Sequence, residues 1–415
     1  MLSRCLSVRL NGIPQAILEQ DEHGKLRLTY LPEATRALSL NLPLREAPYE
    51  SDACEAFFGG LLPESEQARK AIARRYGINA NNSFSLLRAI GYDCAGAVSL
   101  HAPDEPIRSA ESFLLDGRVL SQAELARHIR ELPEKPLFTG IDGLRLSLAG
   151  TQDKAAVCII DGEVALPHHG TPTTHILKPA VSASVDSVRN EFICMKLAAL
   201  IGLEAPSVEI RSAEEIPYLL IARYDRTFLP NGHIARIHQE DFCQALGRSS
   251  LRKYQAEGGP GLKDCFALMQ RTSQPALSIT RLLRHLIFNV LIGNWDAHAK
   301  NYSLLHQPNG RIALAPVYDV LCTRIYPDFI DRMAMKIGGY YEVDQLIERR
   351  WRSFCDEVGI GFNLLSKTLM DTHAALQQAI QHGFPDLDDP RSRQILAFIG
   401  RHATDVLRRF HPPAA

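Results

Sequence analysis

Over the last two thirds of this chain the apolar spacing passes from mainly strand-like to mainly helical, and that change constrains the fold more than any other feature. From Leu144 the stretches LRLSLAG, KAAVCII, THILKPA, APSVEIR and YLLIARYD alternate, or run apolar, as strands do. After about residue 238 the spacing is helical, through EDFCQALG, KDCFALMQ, ITRLLRHLIFNVLIGN, NLLSKTLMDTHAALQQAIQHG and RSRQILAFIGRHATDVLRRF. One helix interrupts the strands, with Val188, Phe192, Met195 and Ala199 of DSVRNEFICMKLAALIG expected on one apolar face. The order predicts an α+β chain in which a β-rich small lobe precedes an all-helical large lobe.

Ahead of this lies a further mixed segment. LSVRLNGIPQAIL and KLRLTYL read as strands, and DACEAFFGGLLPESEQARKAIARRYG runs at helical spacing. Proline and charge in PDEPIRSAES and ELPEKPLFTG suggest breaks near 101–112 and 133–141, giving an N-terminal α/β subdomain over 1–110, the small lobe over 111–225 and the large lobe over 226–415. With 415 residues, 46% of them hydrophobic, the chain can fill two or three cores.

Charge and cysteine usage exclude several classes. A formal net charge of −1 provides no overall basic field, so contact with nucleic acid has to be local or supplied by a partner. Nine scattered cysteines without a C-x-x-C pair argue against a disulfide framework and against a zinc site. The N-terminus lacks the apolar run of a signal peptide, and no stretch of about 18 uncharged apolar residues occurs, so a cytoplasmic protein with no membrane contact is expected.

The chemistry concentrates in GNWDAHAKNYSLL, residues 293–305, directly behind the apolar RLLRHLIFNVLI. Phosphoryl transfer needs a carboxylate to orient the acceptor hydroxyl, an amide oxygen and a second carboxylate for magnesium, and a cation on the phosphates. Asp296 and Asn301 have the spacing of base and metal ligand in a kinase catalytic loop, and Asp319 in LAPVYDVL can be the second carboxylate. Lys178 in THILKPA can be the cation, with Glu191, thirteen residues on, as its ion-pair partner.

Each piece also has an ordinary reading. An Asp-x-x-x-x-Asn match arises by chance, Asp319 could be a turn residue, Lys178 a snorkelling edge lysine and Glu191 a solvated helical acid. The conjunction, in this order, is what selects a protein-kinase-like fold. SLAGTQDK, residues 147–154, has only Gly150 and reads on spacing as a hairpin turn, though its backbone N–H groups could cradle phosphate with Lys154 at the exit. HQED at 238–241 reads as a helix cap, QARKAIARRYG as a solvated basic face, and His168–His169 as a loop without a matching ligand cluster.

SLAGTQDKAAV, TPTTHILKP, NEFICMKLA, ARYDR, HQEDFCQALG, FNVLIGNWDAHAKNYSLL and LAPVYDV, in this order and with LLPES and LLRAIGYDCAGAVSL before them, resemble the HipA family of bacterial serine/threonine kinases, the toxin half of HipA–HipB modules. The resemblance implies a kinase-like fold with an added N-terminal subdomain, ATP and Mg2+ as cofactors, and a protein serine as acceptor, with an aminoacyl-tRNA synthetase as the substrate known from the family. It assigns Asp296 as base, Asn301 and Asp319 as metal ligands and Lys178 to the phosphates, with His298, Lys300 and Tyr318 beside the nucleotide. Ala149, Gly150, Thr151, Gln152, Asp153 and Lys154 match the phosphate loop, Ala222, Arg223 and Tyr224 the hinge to adenine, and Ser147 the autophosphorylated serine.

Thr151 and Ala222 depart from the family pattern. A HipB-like helix-turn-helix antitoxin is the implied partner, with operator DNA reached through it. An aminoglycoside-type small-molecule phosphotransferase and a degenerate pseudokinase acting as co-repressor are the competing readings. The HipA-like loop and N-terminal subdomain argue against the first. The retained Lys178, Asp296, Asn301 and Asp319 argue against the second.

Overall fold

Period-two alternation at the N-terminus forms strands β1 (Cys5–Leu10), β2 (Ile13–Gln20) and β3 (Leu26–Tyr30), which join β4 (Val98–His101) in an antiparallel sheet of order β3-β2-β1-β4. Val8, Ala16, Leu18 and Leu28 of this sheet are fully buried, as are Phe57 and Phe58 of α1 (Ser51–Phe58). Helix α2 (Glu66–Tyr76) starts at Ser65, whose hydroxyl accepts from the Ala68 N–H, and stops at the left-handed Gly77. It buries Ala68, Ile72 and Ala73, and most of its basic side chains face solvent. Helix α3 (Ser83–Ile90) completes this segment.

This computed structural model describes residues 4–107, 113–141, 144–168, 170–180, 186–326, 332–384 and 387–411. Part of the break expected at 101–112, and His169, lie outside them. Two units emerge. The first comprises residues 1–181, 211–251 and 305–310, the second 182–210, 252–304 and 311–415. The boundaries expected at 110 and 225 are not seams of this division.

In the first unit, which takes in β9 only from residue 211, β5 (Gly117–Val119), β6 (Ala155–Ile160), β7 (Glu163–Pro167), β8 (His175–Pro179), β9 (Val208–Ala213) and β10 (Ile216–Ala222) form a sheet of order β5-β7-β6-β8-β10-β9. Helix α4 (Gln122–Glu131) opens with a capping box between Ser121 and Glu124. Two expectations are corrected. LRLSLAG makes only isolated bridges, Leu146 to Asp93 and Gly150 to Pro63, because its neighbours are loops rather than strands. ELPEKPLFTG is no linker: Pro136, Leu137 and Phe138 are buried, and their proline marks a short helical turn.

The stretch around HQED is more β-like than its spacing predicts. β11 (Arg226–Phe228) pairs with β12 (Ile234–Arg236), and His238–Asp241 is itself a strand, β13. Asp241 does cap the following short helix, α6 (Phe242–Ala245), in a capping box with Gln244. Glu240, fully buried, accepts from the Ser39 hydroxyl at 2.5 Å and the Leu40 N–H at 3.0 Å, and lies 2.7 Å from His306 Nε2.

One ionic cluster ties this unit together. Asp93 accepts from Arg226 Nη2 at 2.8 Å, Arg236 Nε at 3.0 Å and Thr173 Oγ1 at 2.6 Å, while Arg223 joins Asp225 at 2.7 Å and the Cys94 carbonyl at 3.0 Å. Burial works against the Asp93 carboxylate, but Arg226, Arg236 and Arg223 together outweigh it and hold its carboxyl well below the usual range.

The second unit is mainly helical: α5 (Ser187–Leu200), α7 (Leu262–Met269), α8 (Pro275–Ile292), α9 (Glu348–Val358), α10 (Phe362–His382) and α11 (Pro390–Phe410). It is not purely so, since β14 (Ser303–His306) and β15 (Ile312–Leu314) flank a turn that groups with the first unit. On α5 most residues are buried, among them Val188, Asn190, Glu191, Ile193, Cys194, Met195, Leu197 and Ala198, while Ala199 is exposed and Phe192 half-buried. Of the expected apolar face only Val188 and Met195 are buried.

Helix α8 is the core of this unit, packed by α7, α10 and α11. By length and hydropathy it could cross a membrane, but 61% of it is buried inside the fold. Its charges are tied down locally, Arg281 to Glu204 at 2.6 Å and Arg284 to the Ile201 carbonyl at 2.9 Å.

Asp93→Ala should therefore destabilise the protein by about 3–5 kcal/mol, because three guanidiniums lose the anion that offsets their desolvation. A urea unfolding midpoint close to wild type would show that the cluster is not what holds the unit together.

Candidate active site

The polar loop begins where α8 must stop. Gly293 takes φ 75°, and a Cβ there would come 3.0 Å from the Cβ of Arg324, so the turn calls for glycine on both conformational and steric grounds. Its carbonyl accepts from the Arg324 N–H at 3.1 Å, and the next N–H groups are bound in turn, Asn294 to the Asn289 carbonyl and Trp295 to Thr323 Oγ1 at 2.8 Å. Asn294 also receives the Asp296 N–H at 3.2 Å on its Oδ1 and donates to Asn289 Oδ1 at 2.8 Å. A chain of satisfied polar groups thus hangs Asp296 from the end of a buried helix.

Beyond Asp296 the loop tightens. The His298 N–H donates to the Asp296 carbonyl at 2.8 Å and the Asn301 N–H to the His298 carbonyl at 2.9 Å, closing a short helical turn over Ala299–Asn301. His298 and Lys300 are buried, and Asp296 is half-buried. Tyr254, which sequence reasoning passed over, donates its hydroxyl to Asp296 Oδ1 at 2.7 Å and sets its ring edge-on to His298.

Asn301 and Asp319 come together, as their proposed shared role requires. Asn301 Nδ2 donates to Asp319 Oδ2 at 2.9 Å, which orients the amide so that its Oδ1 is left buried with no hydrogen-bond partner. Asp319 has φ 56°, a conformation costly for a non-glycine residue and often retained where a side chain must be aimed. An orphaned amide oxygen beside a carboxylate fits magnesium, which takes one or two protein oxygens and completes its octahedron with phosphate and water. The Tyr318 hydroxyl is committed elsewhere, to the Lys300 carbonyl and Ser303, each at 2.6 Å.

Asn190 is a second residue sequence reasoning missed. It is fully buried on α5 and exchanges two hydrogen bonds with the Cys322 backbone, at 3.0 and 2.9 Å, pinning the chain just after Asp319. A polar residue on the buried face of an apolar helix was the available signal. Glu191 beside it is buried as well, so it is not a solvated helical acid.

In the first unit, Lys178 is buried on β8, an interior strand between β6 and β10, and is not a snorkelling edge lysine. The loop Ala149–Lys154 is closed by Lys154, whose Nζ donates to the Ala149 carbonyl at 2.8 Å, and Gln152 donates to the Pro179 carbonyl at 3.2 Å, next to Lys178. Gly150 has φ 112°, and a Cβ there would lie 2.3 Å from Lys154 Nζ. Thr151 and Asp153 are exposed, and Ala222 and Tyr224 half-buried.

Two positions behave differently from the simplest expectation. Arg223 is committed to the ionic cluster through its side chain and donates its N–H to the Thr174 carbonyl at 2.9 Å, so neither group is available to an adenine. Ser147 is fully buried: its hydroxyl donates to the Leu61 carbonyl at 2.7 Å and its N–H to the Asp93 carbonyl at 3.0 Å.

Comparison with known proteins now decides the family. The profile of the HipA N-terminal domain matches residues 6–101 and that of the HipA-like C-terminal domain residues 146–381. The serine/threonine-protein kinase toxin HipA of Shewanella oneidensis is 30% identical over 90% of this chain and 86% of its own length. The chain belongs to the HipA family. Y4mE of Sinorhizobium fredii is 41% identical, covering 94% of each protein. The structure of Shewanella HipA in complex with HipB and its operator DNA superposes with a TM-score of 0.84 at 27% identity, covering 98% of this chain and 97% of that one. The fold is therefore the α+β, kinase-like fold of HipA.

Gly293→Ala in this member of the HipA family should cost about 1–2 kcal/mol, since the left-handed turn penalises any Cβ. A thermal melt at or above the wild-type midpoint would mean that the loop does not depend on this turn.

Proposed function

We propose that this chain is an ATP- and Mg2+-dependent serine/threonine protein kinase, the toxin of a toxin–antitoxin module. The observation that carries the reading is the Asn301–Asp319 pair at 2.9 Å, which leaves the Asn301 amide oxygen buried without a hydrogen-bond partner beside a carboxylate, with Asn301 on the same loop as Asp296. Asp296 orients the acceptor hydroxyl and takes its proton, Asn301 and Asp319 hold Mg2+ against the phosphates, and Lys178 with the 149–154 loop binds the phosphates. Magnesium supplies charge neutralisation on the transferred phosphoryl group. The hinge contact to adenine falls to Ala222 and Tyr224.

An aminoacyl-tRNA synthetase is the proposed substrate, with growth arrest as the outcome. The partner is a HipB-like helix-turn-helix protein that brings the complex to operator DNA, as the composition of the Shewanella complex suggests. A chain of net charge −1 needs such a partner for its positive surface. Ser147 is the proposed autophosphorylation site. Because its hydroxyl is sealed against Leu61, the segment from Leu144 to Gly150 has to leave before it can react. The phosphoryl group, with about −1.5 to −2 charges, then prevents its return.

Incubation of the purified protein with γ-labelled ATP, Mg2+ and a lysate of its host should label one acceptor, and Asp296→Asn should slow that transfer by roughly two to four orders of magnitude while leaving ATP binding in place. Near-normal transfer by the variant, or none by the wild type, sinks the reading. Peptide mapping of the same reaction reads Ser147.

Asp319→Ala should weaken Mg2+-dependent nucleotide binding by about tenfold or more, and Asn301→Ala by less, because only Asp319 brings charge to the cation. A Mg2+ titration that both variants leave unchanged would put the metal elsewhere.

A further inference from the structure

We infer that Tyr254 is a positioning residue for the phosphoryl-transfer base, a role that rests on the kinase reading of Asp296. Its hydroxyl donates to Asp296 Oδ1 at 2.7 Å. A carboxylate turns as one rigid group about its last bond, so fixing one oxygen fixes where the other points. A base whose task is to align a single hydroxyl gains from that restraint, because misorientation lowers the fraction of encounters in which the acceptor is aimed at the phosphorus.

The phenol is held by its surroundings rather than placed by chance. Tyr254 and His298 rings meet edge to face, with centroids 5.1 Å apart. The Tyr254 carbonyl accepts from the Gly259 N–H at 3.0 Å, and a Cβ on Gly259 would come 2.2 Å from the Arg252 carbonyl and 2.8 Å from that of Tyr254, so only glycine lets this loop close. Gln255 anchors the loop on its other side, donating its N–H to the Ala334 carbonyl at 3.3 Å and accepting the Lys336 N–H on its side-chain oxygen at 2.7 Å. The Ala334 N–H in turn donates to the Trp295 carbonyl at 2.8 Å, one residue before Asp296. Tyr254 thus reaches the base from a loop fastened to the base's own backbone, through three hydrogen bonds that do not involve the phenol.

This arrangement makes a prediction that a packing role would not. Tyr254→Phe keeps the ring and its contact with His298 but removes the donor. With γ-labelled ATP and the labelled acceptor band as readout, kcat should fall about tenfold, the scale of one hydrogen bond to a charged group. KM for ATP, ATP affinity and the melting temperature should stay at their wild-type values. In the Asp296→Asn background the same substitution should cost little more, because Tyr254 acts through the carboxylate that is already gone.

Unchanged kcat in Tyr254→Phe, a loss that multiplies in full with that of Asp296→Asn, or a parallel loss of ATP affinity would each overturn the inference. The Asp296→Asn arm keeps the two claims apart. Near-wild-type transfer by that variant alone counts against the kinase reading, whereas a dead Asp296→Asn with a fully active Tyr254→Phe counts against the positioning role only. Should Tyr254→Phe melt early, its ATP affinity at a temperature below the melt still decides, since a positioning residue leaves it intact and a packing residue does not.

Discussion

Asp93 carries more of the first unit than any other side chain. It is buried, as are the three arginines around it, and all four were taken out of water at a cost that only their close mutual geometry offsets. What they join are stretches far apart in sequence: the turn after α3, the start of β8 at Thr173, the end of β10 at Arg223 and the β11–β12 hairpin at Arg226 and Arg236. The Asp93 backbone does further work, since its carbonyl receives the Ser147 N–H and its neighbourhood forms the bridge to Leu146. The segment entering the Ala149–Lys154 loop and the segment leaving β10 therefore hang from one carboxylate. Removal of the Ser147 segment from its place would break contacts to this cluster, which is the physical route by which the proposed modification of Ser147 would disturb the Ala149–Lys154 loop.

The second unit solves a different problem, how to hold polar groups still at the end of an apolar helix. α8 supplies rigidity, and Gly293 turns the chain sharply enough for Asn289, Asn294 and Thr323 to bind the first N–H groups of the loop. The N–H groups of Asn294, Trp295, Asp296, His298 and Asn301 are thereby bound within the protein. The strain is local, at Asp319, where a left-handed backbone aims the carboxylate at Asn301. Asn190 from α5 holds the chain immediately beyond that point.

Much of the site was readable without coordinates. Asp296, Asn301 and Asp319 were singled out by their spacing, the fold brings Asn301 and Asp319 within 2.9 Å of each other, and the family motifs pointed to the HipA family that the comparisons establish. The residues that were missed share a property: Tyr254 and Asn190 act through side chains brought by tertiary contact to what they serve, at no fixed interval from it. Arg223 shows the reverse case. The resemblance placed it at the hinge, whereas the fold commits its guanidinium to Asp225, two residues on, and to the distant Asp93.

The sequence alone determined the class of structure, because apolar spacing of two or 3.6 is a property of the neighbouring chain and is written directly into it. It likewise determined the spacing of the candidate site, since Asp296 and Asn301 sit on one short loop closed by the His298 and Asn301 N–H groups. Only the tertiary structure decided that Glu191 and Lys178 are buried, that LRLSLAG bridges to loops instead of joining a sheet, and that Ser147 is sealed beneath Leu61. Burial and partner choice depend on which distant segments share a core. That is settled by the balance of desolvation, charge and packing over the whole unit, and no window of residues contains it.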